Sequence, residues 1–99
     1  MLYMIFGEDV ADSLPLRQAV RPAHLARMEA LRAAGRLRLA GPLPAIDSAD
    51  PGPAGFVGSL IVAEFPSLAE AKAWIEADPY VTGGVFQRWR VEPFRQVLP

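Results

Sequence analysis

The chain has no cysteine, which excludes disulfides, thiol nucleophiles and every metal site built on thiolates. It has a single histidine, His24, and a single lysine, Lys72; the other nine of its ten basic residues are arginine. With one imidazole and no thiol, only carboxylates remain to complete a metal site. That is a poor donor set for zinc, so neither a metal nor another cofactor is expected. A formal net charge of −1 and a pI near 5.7 leave no clustered positive charge for nucleic acid or an anionic membrane surface, and neither is expected as a partner. Long apolar runs are missing too. The N-terminal MLYMIF meets Gly7 and Glu8 with no basic segment ahead of it, which fits neither a signal peptide nor a membrane span, and a cytoplasmic location is expected.

What is present suits one folded domain over residues 1–99: 52% of the residues are hydrophobic and 21% charged, a globular rather than a disordered balance. A core of this size is small, so excess apolar surface on any element points to self-association.

Met1 to Phe6 reads as a strand buried on both faces and ended by Gly7-Glu8-Asp9. Asp12 to Val20 reads as a mixed connector holding at most a helical turn, after which Pro22 opens a helix. That helix runs to about Ala34, with Leu25, Met28 and Leu31 on one stripe and Gly35 beyond its end. Arg36 to Leu43 alternates basic and apolar residues as a half-buried second strand, broken at Gly41-Pro42. PAIDSADPGPAG is a loop; its glycines have neither the strand-to-helix setting nor the lysine of a phosphate-binding loop. Gly58 to Phe65 is a third strand, and Ser67 with Glu70 is a capping box for a second helix that turns Leu68, Ala71 and Ile75 inward. Asp78-Pro79 ends that helix, and Val85 to Val91 is a fourth strand.

The order strand, helix, strand, strand, helix, strand is that of the ferredoxin-like α+β sandwich, with two helices on one face of a four-stranded antiparallel sheet. The other face is bare. Because the first strand has no polar residue on either side, that face is apolar, and a homodimer joined through the open sheet face is expected.

The same topology brings the start of the first helix and the end of the second to one edge, which joins His24 to Asp78. A helix N-terminus disfavours imidazolium and would keep His24 neutral. Asp78, at a helix C-terminus, needs a donor or cation, for which His24, Arg21 and Arg17 are candidates. A carboxylate holding one imidazole nitrogen is the usual arrangement of a general base. A lone helix histidine beside an aspartate serves structure as readily as catalysis, so pattern alone leaves the role open. Tyr80 is close enough in sequence to line the same pocket. Ser13, Ser48, Ser59 and Ser67 carry no nucleophile motif, and Trp74 and Trp89 are read as core or interface fillers.

Four segments, RPAHLARMEALRAAGRLRLAGPLPA, DPGPAGFVGSLIVAEF, ADPYVTGGVF and VEPF, make the chain resemble the YciI family (YCII-related domain) over nearly its whole length. The resemblance implies a ferredoxin-like fold forming a dimeric α/β barrel. It also implies an acid-base site in which the family's histidine falls on His24 and its Asp-Pro aspartate on Asp78. Lyase or isomerase chemistry is inferred for some relatives. The expected function is therefore a small cofactor-independent enzyme moving a proton on an organic acid or a cyclic, quinone-like metabolite. Its catalytic residues would be His24 and Asp78, with Arg17, Arg21 and Tyr80 binding an anionic substrate. The alternative is a non-catalytic small-ligand-binding or stress-associated dimeric module in the same cavity.

Overall fold

The computed structural model describes residues 1–99. Its elements are β1 (Leu2–Asp9), α1 (Leu14–Ala33), β2 (Leu37–Pro44), a 3-10 turn (Gly52–Ala54), β3 (Phe56–Glu64), α2 (Leu68–Glu76), α3 (Pro79–Thr82) and β4 (Phe86–Phe94). The four strands form one sheet in the order β2-β3-β1-β4, every neighbouring pair antiparallel, which is the ferredoxin-like arrangement.

β1 runs three residues beyond the predicted end and is buried on one face only. Tyr3, Ile5, Gly7 and Asp9 point to the helices, whereas Leu2, Met4, Phe6 and Glu8 are half-buried on the other side. Gly7 does not end the strand, because a Cβ there would fall into the ring of Phe86 on the neighbouring strand. Its missing side chain is what lets Phe86 fill the core at that point.

α1 begins at Leu14, two turns before Pro22, so the stretch read as a connector is helical. Ser13 occupies the N-cap position, with Pro15 in the first turn where proline is tolerated. Its hydroxyl is turned to Asp9 rather than to the helix backbone. Pro22 lies inside the helix and is exposed, so the amide it lacks faces no buried acceptor. The buried stripe of α1 is Arg17, His24, Met28 and Leu31, while Leu25, expected on that stripe, is 39% exposed.

Ser67 caps α2 as read, accepting a hydrogen bond from the Glu70 amide at 3.1 Å. β2 continues through Gly41-Pro42, which an edge strand tolerates because one side needs no ladder bonds. The core joins Tyr3, Ile5, Ile61, Ala63 and Val91 of the sheet to Met28, Leu31, Ala71 and Ile75 of the helices, with Phe65, Tyr80, Val85 and Phe86 closing its ends. On the sheet's other face, register places Leu2, Met4 and Phe6 beside Leu60, Val62, Leu39, Leu43 and Phe94, with charge along β4 (Arg88 paired with Glu8, Arg90 with Glu92) and at Glu64. No helix is long and apolar enough to cross a membrane.

Candidate functional site

The buried stripe of α1 alternates chemistry along its length: a cation, an imidazole, then two apolar residues. Buried polar side chains need partners, and each finds them on a different element.

His24 meets Asp78. Its Nδ1 lies 2.7 Å from Asp78 Oδ2, and the same oxygen accepts from the Tyr80 amide at 3.0 Å. Asp78 has no exposed surface. Burial works to raise its pKa, but the hydrogen bonds from His24 and the Tyr80 amide, the attraction of His24 and the Arg27 hydrogen bond together outweigh it, and the carboxyl is held below the ordinary aspartate value. An ionised carboxylate can only accept, so the proton sits on Nδ1 and Nε2 is the free ring position. No buried side-chain nitrogen or oxygen lacks a partner, so Nε2 reaches the cleft that His24 lines.

Two further side chains hold this pair. Tyr80 stacks on the imidazole with centroids 3.8 Å apart and planes 8° from parallel, and it meets Phe86 edge-on at 5.6 Å. Burial pushes the Tyr80 phenol up, against the opposing pull of Arg17 and Arg21, so it stands as a hydrogen-bond donor at neutral pH. Arg27 donates to the other carboxylate oxygen of Asp78 at 2.7 Å.

Arg17 forms a second buried cluster about two turns up the helix. Its Nε and Nη2 donate to Asp9 at 2.7 and 3.0 Å, and Nη2 also donates to the Gly58 carbonyl and Ser59 Oγ. Ser13 donates to Asp9 at 2.6 Å. The guanidinium lies between two rings, 5.2 Å from the Phe56 centroid and 5.0 Å from that of Tyr80. Nη1 makes none of these bonds, and Arg17 is among the residues that line the cleft.

The cleft itself has a volume of about 650 Å³ and lies between α1 and the β2–β3 half of the sheet. Arg17, Gln18, Arg21, His24, Glu29, Ser59 and Tyr80 supply its polar wall; Leu14, Leu25, Met28, Leu37, Phe56 and Ile61 supply most of the apolar one. This size and balance suit a small organic molecule. Arg21 is exposed at the mouth and has no ion-pair partner. No group of three or more histidine or carboxylate side chains lies together to hold a metal.

All five residues singled out in the sequence line this region, Asp78 from behind His24 and the others at the cleft wall. Three expectations about them need correction. His24 is not in the first turn of its helix: α1 starts at Leu14, so the imidazole lies in the third turn, beyond the reach of the helix-end field. Asp78 is not the end of α2 but the N-cap of α3, where it receives the Tyr80 amide. Its cationic partner is Arg27, not Arg21 or Arg17. Arg27 follows His24 by three residues, one helical turn, and that spacing was the available signal. Asp9 and Ser59 were not read as partners of Arg17: the topology carries the end of β1 to this edge, but Arg17 faces it only because α1 starts as early as Leu14.

The sequence profile of the YCII-related domain matches residues 1–95. The chain is 58% identical over 98 residues to the proteins called YciI of Escherichia coli O6:H1 strain CFT073 and of Shigella flexneri, covering 99% of this chain and 100% of each relative. It is 48% identical, with the same coverage, to an uncharacterized protein of Haemophilus influenzae. Among solved structures it is similar to the 5-chloro-2-hydroxyhydroquinone dehydrochlorinase TftG of Burkholderia phenoliruptrix AC1100 in complex with 2,5-dihydroxybenzoquinone. The TM-score is 0.84 at 29% identity, over 96% of this chain and 94% of that one.

Proposed function

The chain belongs to the YCII-related domain family, and from that premise we propose that it is a small cofactor-independent enzyme of lyase or isomerase type, with His24 as the group that moves the proton. The observation that carries the reading is the state of the imidazole: Nδ1 is held by a buried carboxylate while Nε2 is free in a ligand-sized cleft. Asp78 orients the ring, Tyr80 lines the pocket with its phenol proton retained, and Arg21 with Nη1 of Arg17 receives an anionic oxygen of the substrate.

In this mechanism Nε2 takes a proton from a carbon next to a carbonyl, or from a hydroxyl conjugated to one, and the electron pair moves into the carbonyl, whose oxygen the arginines stabilise. Elimination follows if the adjacent carbon carries a leaving group. Isomerisation follows if His24 returns the proton at another carbon. The substrate class is a small organic acid or an oxygenated, quinone-like ring. The dehydrochlorinase supports it, as an enzyme of this fold whose structure holds 2,5-dihydroxybenzoquinone. The functional unit is a homodimer joined through the open sheet face.

The test is chloride release from 5-chloro-2-hydroxyhydroquinone by the wild-type protein, with 2,5-dihydroxybenzoquinone binding measured in parallel. Turnover supports the reading. Binding without turnover of this or related hydroxylated rings replaces it with a non-catalytic ligand-binding module.

A further inference from the structure

Asp78 has two side-chain partners, and they differ in consequence. His24 occupies Oδ2; Arg27 occupies Oδ1. Arg27 is itself held in place, since Nη2 donates to the Trp74 carbonyl at 2.9 Å and the guanidinium lies 4.4 Å from the Trp74 ring centroid. Its side chain is 27% exposed and does not line the cleft, so it acts on a ligand only through Asp78.

The charge count follows from these contacts. In an isolated aspartate–histidine pair the carboxylate is the counter-ion of the imidazolium. Here the carboxylate is already matched by Arg27, so a proton on His24 leaves the group with one net positive charge. The other groups around the ring do not cancel it. On α1, Arg17 is neutralised by Asp9 of β1, Arg21 is unpaired, and Glu29, exposed on the cleft wall, is paired with Arg32. From α3 comes the Tyr80 phenol, from α2 the Trp74 carbonyl, and from β3 only Ser59. The missing negative charge must come from whatever enters the cleft.

We propose that Arg27 is a positioning residue that cancels the charge of Asp78, so that an anion resembling the product of proton transfer is held in the cleft together with one proton at His24. The inference rests on the acid-base reading of this site and adds to it how ligand and proton are linked.

The probe is 2,5-dihydroxybenzoquinone, a vinylogous acid, titrated calorimetrically from about pH 6.5 upward, where it stays deprotonated. Titration in two buffers of unlike ionisation heat reads the protons taken up. Wild type is expected to take up a proton approaching one per ligand on the alkaline side, where affinity falls about tenfold per pH unit. In Arg27→Gln the bare carboxylate replaces the ligand as counter-ion. The pH dependence of proton uptake should then differ from wild type, with weaker binding of the anion at the acid end. Arg27→Lys should return the pH dependence towards wild type.

Wild-type binding with no proton uptake at any pH overturns the inference and leaves the acid-base reading standing. So does an Arg27→Gln variant whose affinity drops equally at every pH, since that is the result of a merely structural role. If that variant does not fold, the wild-type uptake and Arg27→Lys decide alone. No binding of the probe to wild type removes the reading and the inference together.

Discussion

Asp78 accepts three hydrogen bonds with no surface exposed, from an imidazole, a guanidinium and a backbone amide. Its carboxyl is held below the ordinary aspartate value, so the unfolded chain binds its proton more readily than the folded one. The stability it supplies is therefore complete above the unfolded value near pH 4 and is lost as pH falls through the lower folded value. Asp78→Asn should cost about 1–3 kcal/mol at neutral pH. The gap to wild type should narrow steadily below about pH 4, as read from urea denaturation across the acid range. A gap that widens in acid would contradict the assigned charge state. His24 and Asp78 were both legible in the sequence because they sit at a helix and at an Asp-Pro break. Arg27 and Asp9 were less so. Their roles come from the far end of an arginine side chain, Arg27's own and that of Arg17 on Asp9, and no local pattern says where that end goes.

At the level of elements, the capping box of α2 was readable because it is written in four consecutive residues. The start of α1 was not. Two prolines seven residues apart each suit a first turn, and the choice between them is made by tertiary contacts: Arg17 bonded to Asp9, Gly58 and Ser59 anchors the two turns before Pro22. β1 was cut short at Gly7 for a similar reason, since glycine reads as a strand breaker until Phe86 is seen above it. A substitution there discriminates propensity from packing. Alanine normally favours a strand over glycine, yet Gly7→Ala would drive a methyl group into the Phe86 ring. It should destabilise the protein by about 1–3 kcal/mol. It should also weaken probe binding, because Phe86 supports the Tyr80 ring that stacks on His24. An equally or more stable variant in urea denaturation would show that the ring has room to move.

For the molecule as a whole, the antiparallel βαββαβ order was legible from the alternation of periodicities, and the third helix was not, being one turn long. The open face is apolar over β1 and the neighbouring parts of β2 and β3 but charged along β4, and that explains why β1 looked buried on both sides: Leu2, Met4 and Phe6 match core residues in character although no helix covers them. In the proposed homodimer Leu60 lies near the centre of that face. Leu60→Glu should leave the monomer folded by circular dichroism while shifting sedimentation from dimer to monomer. A buried unpaired carboxylate costs several kcal/mol, roughly a hundredfold or more in the dissociation constant. A variant that sediments as wild type would move the interface elsewhere.

The proposed chemistry turns on a proton passing through Nε2 of His24, and His24→Ala tests it most directly. With chloride release from 5-chloro-2-hydroxyhydroquinone as the readout, the variant should lose about 10²- to 10⁴-fold in turnover while keeping its fold and most of its affinity for 2,5-dihydroxybenzoquinone. An alanine variant that turns over as fast as wild type would contradict it.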